Sequence, residues 1–164
     1  MQTLVRTPLF EEHLHLNARM VPFAGFEMPV QYEGIIEEHT ATRESVGIFD
    51  VSHMAEFRVC GQGSYEFLQH MLTNEISKID DVGAAQYSLM LNDEGGIIDD
   101  LIVYHTGLEY LIIANASNRE KDFAWLEKHC PDDVELVDES DRTALIAVQG
   151  PKALAVLKEL APAG

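Results

Sequence analysis

After residue 50, apolar and polar residues alternate in short runs, which predicts strands separated by turns and single helices. Strand patterns cover residues 55–60, 86–91, 97–104, 110–114, 134–137 and 144–148. Helical patterns cover residues 63–72, about 118–129 and 151–160. This order predicts an α+β fold, in which a largely antiparallel sheet has helices packed on one face.

The first fifty residues follow a different pattern. Residues 20–34 contain two prolines and several glycine or alanine interruptions among aromatic residues, so we expect an ordered but irregular segment there. Residues 35–46 fit a helix that ends before Gly47. The change of pattern predicts a boundary between two lobes near residue 50.

The most distinct turn signal lies at residues 92–96, where the sequence reads NDEGG between two apolar runs. Asn, Asp and Gly in such a position are typical of β-hairpins. We therefore expect residues 86–91 and 97–104 to pair as antiparallel strands.

Composition narrows the function classes. The chain has 164 residues, of which 46% are apolar, enough to build a core. Its formal net charge of -17 disfavours binding to nucleic acids and to anionic membrane surfaces. No apolar run reaches the roughly 20 residues of a membrane helix, and the N-terminus lacks a signal-peptide pattern. A cytoplasmic protein is the expectation.

The potential metal ligands are scattered. Cys60 and Cys130 do not fit a metal-ligand or CxxC spacing, and we interpret both as reduced packing residues. The seven histidines show no supporting pattern of cysteines or carboxylates. We expect no metal site.

The most unusual polar feature is Asp99-Asp100, placed inside the apolar run IIDDLIVY. Alternation along a strand puts Asp100 on the face of Ile98 and Ile102, and Asp99 on the face of Ile97 and Leu101. A carboxylate among aliphatic side chains must be paired or hydrogen-bonded, and desolvation raises its pKa toward values useful for proton transfer. The alternative is structural, with one Asp solvated and the other capping backbone amides.

Other polar and aromatic residues flank this pair in the predicted sheet. Asn115 and Asn118 lie at the start of the helix near residue 118, where an amide can cap the helix or contact a ligand. Capping alone is the better interpretation for one of them. Tyr87 and Tyr104 lie on the paired strands and could stack on a flat heterocycle, although aromatic strand residues are more often core.

Six segments together resemble the T-protein of the glycine cleavage system in order and spacing. They are RTPL at 6–9, VPFAGFEMP at 21–29, VGIFDVSHM at 46–54, GGIIDDLIVY at 95–104, ANASNREKDF at 114–123 and AVQGPKA at 147–153. The chain contains no GxSxG, P-loop or GxGxxG motif that would favour a hydrolase or a nucleotide-binding enzyme. The resemblance covers essentially the whole chain. It implies that residues 1–164 are the N-terminal, folate-binding portion of a longer protein of that family, with a change of lobe near residue 50.

The resemblance implies an aminomethyltransferase that uses tetrahydrofolate. In this reaction, the aminomethyl group on the lipoyl arm of the H-protein is passed to tetrahydrofolate and ammonia is released. Asp100 matches the family's catalytic carboxylate, which would orient the pterin nitrogens, assist proton movement and stabilise positive charge as ammonia leaves. Met54, Tyr87, Ile113 and Asn115 match positions that line the folate pocket together with Asp100.

Two departures and two alternatives accompany the resemblance. Phe26 stands where the family has Trp. The family also continues beyond the length of this chain, so we expect either self-association or an exposed apolar patch. Dimethylglycine and sarcosine dehydrogenases carry a similar region behind a flavin domain, and the start of the match near residue 1 favours the transferase. A non-catalytic folate-binding or interaction module of the same superfamily is the other alternative.

Overall fold

The computed structural model describes residues 3–161 and divides the chain into two units. The first unit contains residues 3–53 and 144–161, and the second contains Met54–Thr143. The mixed α+β class predicted from the sequence is confirmed.

The first unit begins with short strands and helices. These are β1 (Val5–Arg6), α1 (Phe10–His15), β2 (Arg19–Phe23), β3 (Phe26–Gln31), α2 (Ile35–Glu44) and β4 (Gly47–Asp50). β3 pairs in parallel with β1 and antiparallel with β2, which makes a three-stranded sheet. The predicted helix at 35–46 is confirmed, and the chain continues directly into β4.

The prediction of irregular structure for residues 20–34 is wrong. β2 and β3 form a hairpin, and its turn residues Ala24 and Gly25 have positive φ angles of 48° and 85°. Such a turn matches the right-handed twist of paired strands. Pro22 is tolerated because β2 is an edge strand, and Pro29 lies beyond the two residues of β3 that pair with β1.

The second unit is built on a five-stranded sheet. Its elements are β5 (Ala55–Gly61), α3 (Ser64–Met71), β6 (Ala85–Leu91), β7 (Ile97–His105), β8 (Tyr110–Ala114), α4 (Arg119–Lys128) and β9 (Val134–Asp138), with 3₁₀ turns at Ile76–Ile79 and Ala116–Asn118. The strand order is β6-β7-β8-β5-β9, and every pair is antiparallel. The predicted hairpin of 86–91 with 97–104 is confirmed.

One face of this sheet forms the hydrophobic core with the two helices. Phe57, Val103 and Ile112 are fully buried there. Phe67 and Leu68 of α3 and Leu126 of α4 pack against the same cluster, together with Met90 and Leu101. Because side chains alternate along each strand, Tyr87, Asp100, Ile102, Tyr104 and Ile113 lie on the opposite face, which we call the Asp100 face.

A β-bulge interrupts the alternation just before the aspartate pair. Leu91 pairs with Ile97 and Met90 pairs with Asp99, so Ile98 is the extra residue on β7. Ile98 packs against the core and Ile97 is exposed, so the predicted faces of these two isoleucines are wrong. The faces predicted for the two aspartates are correct, since regular pairing resumes at Asp99.

The chain then returns to the first unit, where β10 (Ile146–Gln149) pairs antiparallel with β4 and α5 (Ala153–Leu160) follows. Leu154, Leu157 and Leu160 of α5 are all exposed. The predicted apolar patch or self-association stays a prediction. None of the helices within residues 3–161 has the length and apolar character needed to cross a bilayer.

Candidate functional site

Two neighbouring rows of side chains on the Asp100 face contain the five residues that the resemblance selected. In the first row, Ile102 on β7 pairs with Tyr87 on β6 and with Ile113 on β8. Glu56 on β5 pairs in turn with Ile113 and ends the row. Tyr87 and Ile113 therefore flank the same isoleucine across three strands.

The second row lies one step further along the strands. Asp100 pairs with Leu89 on one side. On its other side, the Nδ2 of Asn115 donates to the Asp100 backbone carbonyl at 3.0 Å and to its Oδ1 at 3.4 Å. Met54 immediately precedes β5, whose first pair is Ala55 with Ala114. The register thus brings Met54, Asn115 and Asp100 next to each other.

The Asp100 carboxylate is exposed and adjoins an aromatic ring. Tyr87 is 55% exposed, and lost hydration, followed by the neighbouring Asp100 carboxylate, raises its pKa. Ile102 and Tyr104 also expose part of their side chains on this face. The site therefore presents a charged acceptor beside aromatic and aliphatic surface, a combination that suits a flat ligand with N–H donors.

Asp99 lies on the helix face and has a different environment. It is 5% exposed, and its carboxylate accepts the backbone N–H of Asn115 at 3.2 Å. Its Oδ1 also accepts the side-chain amides of Asn115 at 3.0 Å and Asn118 at 2.6 Å. Desolvation opposes the charge, but hydrogen bonds from Asp122 and from both asparagines lower the pKa of Asp99 below its ordinary value.

The expectation that one of the two asparagines serves only to cap the helix is wrong. Within the described residues, neither side chain makes a capping hydrogen bond to the 3₁₀ turn or to α4. Their amides instead bind Asp99, which is 16 or 19 positions away in sequence. The structural alternative for the aspartate pair is correct in part, since Asp100 is exposed and Asp99 accepts one backbone amide.

Asp122 was not predicted from the sequence, although it belongs to the polar group around Asp99. Asp122 is on α4 and is 0% exposed. It precedes the buried Leu126 by four positions, so both side chains lie on the same side of the helix. That spacing was the available signal for a buried carboxyl group next to Asp99.

The match to a family model covers residues 9–163 and is described as the GCVT N-terminal domain. The aminomethyltransferase of Chloroherpeton thalassium is 58% identical over 156 residues, which are 94% of this chain and 43% of that protein. The aminomethyltransferase of Thermotoga maritima is 53% identical over 161 residues, 97% of this chain and 44% of that protein. The chain thus spans less than half the length of these curated relatives.

The fold matches that of a solved structure along nearly the whole chain. The crystal structure of glycine cleavage system aminomethyltransferase T from Bartonella henselae has a TM-score of 0.86 and 36% identity, and the match covers 99% of this chain and 45% of that one. A heterotetrameric sarcosine oxidase from Corynebacterium matches with a TM-score of 0.50 and 16% identity over 79% of this chain and 64% of that one, which shows similarity of fold alone. The resemblance to the glycine cleavage T-protein is confirmed, and the chain belongs to the GCVT N-terminal domain family.

Proposed function

We propose that this chain is the N-terminal, folate-binding portion of an aminomethyltransferase of the glycine cleavage system. The observation that carries the proposal is the patch formed by Met54, Tyr87, Asp100, Ile113 and Asn115 on two adjacent rows of one sheet face. Relatives that carry the name aminomethyltransferase are more than 50% identical over nearly the whole chain. The proposed partner is the lipoyl-bearing H-protein, and the proposed location is the cytoplasm.

The patch has the features that a reduced pterin requires. The exposed ring of Tyr87 offers a stacking surface and the half-buried Met54 offers an apolar contact, whereas Ile113 is only 6% exposed and lies next to Ile102. The Asp100 carboxylate can accept hydrogen bonds from ring or exocyclic N–H groups. Tyr87, Met54 and Asp100 lie within two rows of side chains, so one planar ligand can contact all three.

The Asn115 amide has a fixed orientation at this patch. Its Nδ2 donates to Asp99 Oδ1 and to the Asp100 carbonyl, both at 3.0 Å. The side-chain nitrogen is thus engaged by the protein, and the Oδ1 atom is available as an acceptor. The combination of Asp100 and Asn115 Oδ1 favours ligands that present N–H donors.

Tetrahydrofolate supplies a nucleophilic nitrogen that accepts the one-carbon unit. In the proposed reaction, the Asp100 carboxylate orients this nitrogen and accepts or passes on a proton at its Oδ atoms. Its negative charge also stabilises positive charge that develops as ammonia leaves. Tyr87 covers one side of the ligand and lowers the local dielectric, which strengthens both effects.

The test compares Asp100→Asn with Asp93→Asn in the natural protein that carries this domain. The first change keeps the size of the side chain and removes its charge and basic oxygen; the second removes an exposed charge in the β6–β7 turn. We expect methylenetetrahydrofolate formation from aminomethyl-loaded H-protein to fall by about 10²–10⁴-fold for Asp100→Asn only. An equal effect of both changes, or no effect of either, would contradict the proposal.

Asp99→Asn is unsuitable as a control, because Asp99 is buried and binds two asparagines. The same assay separates the non-catalytic alternative. Tetrahydrofolate binding without any turnover, in the protein with its natural partner present, would support a folate-binding module instead of a transferase.

A further inference from the structure

A pair of buried carboxyl groups lies behind the candidate folate site. Asp99 projects from β7 toward the helices, and Asp122 projects from α4. Asp122 is fully buried, and neither of its carboxyl oxygens receives a hydrogen bond from a donor within residues 3–161. A buried carboxylate without donors is strongly disfavoured, whereas a protonated carboxyl group can itself donate. Its acceptor here is Asp99.

The electrostatic surroundings favour a single proton on this pair. Burial, followed by the hydrogen bond to Asp99 and the charge of Asp99, raises the pKa of Asp122 to about 8. The opposing influence is Lys121 on the same helix, whose ammonium group donates to the Ile98 carbonyl at 2.6 Å. We therefore expect the pair as a whole to carry one negative charge at neutral pH.

Within residues 3–161, the charged groups that act on the Asp122 carboxyl group are Asp99 and Lys121. On β9, Asp138 is bound by Arg119 at 2.7 Å. The 3₁₀ turn Ala116–Asn118 contains no charged residue, and the end of β8 next to it is Ile112 to Ala114. The hydrogen bonds on Asp99 come from neutral amides and from Asp122. A proton on Asp122 therefore lets it donate to Asp99 and satisfies both carboxyl groups.

The pair is connected directly to the ligand face through Asn115. Asn115 donates to Asp99 from its Nδ2 at 3.0 Å and from its backbone N–H at 3.2 Å. The same Nδ2 donates to the Asp100 carbonyl at 3.0 Å. Rotation or displacement of Asn115 would therefore change both the direction of its side-chain oxygen and its contact with Asp100.

We propose that Asp99 and Asp122 share one proton and act as positioning residues, which hold the Asn115 amide with its nitrogen inward and its oxygen toward the ligand. The inference rests on the proposed function only for the identity of that ligand. Loss of the shared proton places two carboxylates next to each other, and their repulsion weakens the hold on Asn115. The positioning of Asn115 is then dependent on pH, with a midpoint set by Asp122.

The test follows side-chain NMR signals of the isotope-labelled chain from about pH 5 to about pH 10, the range in which a carboxyl group of this kind titrates. We expect the carboxyl carbon of Asp122 to titrate near pH 8. The side-chain amide signals of Asn115 should shift with the same midpoint. Titration of Asp122 below about pH 5, the ordinary range of an aspartate, would overturn the proposal, as would Asn115 signals that do not follow it.

Two variants distinguish positioning from simple support of the fold. Asp122→Asn keeps the size of the side chain and a neutral donor, so the Asn115 signals should stay in their low-pH position and lose the transition near pH 8. Asp122→Ala removes the donor, so the Asn115 signals should be displaced at every pH. An unchanged transition in Asp122→Asn would overturn the proposal; if either variant is unfolded, the titration of the unmodified chain decides alone.

A tetrahydrofolate titration of the same samples separates this inference from the proposed function. We expect affinity to fall by about tenfold above the transition, as expected for loss of one well-placed hydrogen bond, and to be independent of this transition in Asp122→Asn. If the Asn115 signals follow Asp122 but tetrahydrofolate does not bind, the positioning pair stands and the proposed function fails. If tetrahydrofolate binds with no dependence on Asp122, the positioning pair fails and the proposed function stands.

Discussion

The two units each contain a deeply buried aspartate, and the two are stabilised in different ways. In the first unit, Asp50 accepts hydrogen bonds from Thr7 Oγ1 at 2.6 Å, from His13 Nε2 at 2.8 Å and from the backbone N–H of Ser52 at 2.9 Å. The hydroxyl of Tyr32 donates to the other nitrogen of His13 at 2.9 Å. All these donors are neutral when His13 carries its proton on Nε2.

In the second unit, Asp99 also has three donors, all of them N–H groups of asparagines, but the further carboxyl group of Asp122 is buried next to it. The pKa values of Asp50 and Asp99 are both lowered, because hydrogen bonds outweigh desolvation in each case. Asp122 has no counterpart around Asp50 in the described chain and has a raised pKa. The comparison shows that burial of an aspartate is not by itself a functional signal, whereas a second carboxyl group makes the cluster dependent on a proton.

We expect the largest effect on stability from loss of Asp50, the shared acceptor of three hydrogen bonds. Asp50→Ala leaves Thr7, His13 and the Ser52 amide without their shared partner, so the free energy of unfolding should fall by about 3 kcal/mol. Urea unfolding, with the exposed Asp93→Ala as the control, measures this effect. A loss below about 1 kcal/mol, the size of a single ordinary hydrogen bond, would show that the Asp50 network is not structural.

The pH dependence of stability should have opposite signs for Asp50 and Asp122. Because the pKa of Asp50 is lowered in the folded state, its carboxylate stabilises the fold at pH values above the pKa of the unfolded chain. This stabilisation is lost in acid. Asp122, with a pKa of about 8, binds more protons when folded, so its contribution is lost as the pH rises toward and through that value. Between pH 6 and pH 9 we expect the free energy of unfolding to fall by about 2 kcal/mol, since one proton changes it by at most about 1.4 kcal/mol per pH unit.

The variant Asp122→Asn isolates this contribution. The alkaline loss should disappear in thermal or urea unfolding of the variant, while the acid limb due to Asp50 should remain. An alkaline loss that persists in Asp122→Asn would mean that another group is responsible. The comparison between the two clusters would then fail at its central point.

On the Asp100 face of the second unit, we expect a smaller effect, which concerns ligand affinity. Tyr87→Leu removes the exposed ring next to Asp100, and we expect tetrahydrofolate affinity to fall by about tenfold, since one stacked ring contributes roughly 1–3 kcal/mol. Tyr87→Phe should retain most of the affinity. Tyr65→Leu is the matched control, because Tyr65 is also partly exposed but lies on α3. Equal losses for Tyr65 and Tyr87 in calorimetric titration would argue against a ligand on the Asp100 face.

The smallest effect on stability concerns exposed leucines of the first unit. Leu154 on α5 is 65% exposed, so Leu154→Ser should change the free energy of unfolding by less than about 0.5 kcal/mol. If α5 mediates self-association, the same change should lower the average mass in light scattering across a concentration series. Val82→Ser, an exposed valine of the second unit, is the control. A monomer at all concentrations would contradict the predicted self-association.

The sequence predicted those parts of the fold in which local signals agree. The hairpin of 86–91 with 97–104 combined alternating strands with a turn rich in Asn and Gly, and the structure contains it. The hairpin of β2 and β3 was missed because its prolines outweighed the Ala24–Gly25 turn, although they lie where pairing does not need their N–H. The bulge at Ile98 was missed because strict alternation leaves no room for an extra residue.

The candidate site was predicted in its positions and only in part in its contacts. The positions came from the resemblance, and the strand register brings Tyr87, Asp100 and Asn115 onto neighbouring rows. Local rules assigned the asparagines to helix capping, whereas Asp99 binds them from a distant strand. Asp122 was missed because the helix pattern was interpreted from its apolar residues alone. Partners that are far apart in sequence cannot be inferred from periodicity.

The central claim is that tetrahydrofolate binds on the Asp100 face of the second unit, and a tetrahydrofolate titration of the labelled chain followed by NMR tests it most directly. The account predicts saturable shifts of the Met54 methyl group, the Tyr87 ring and the Asn115 side-chain amide, which weaken in Tyr87→Leu. The signals of His13 and Tyr32 in the buried network of the first unit serve as internal references and should stay in place. Shifts confined to residues outside the Asp100 face, or no saturable shifts at all, would contradict the account.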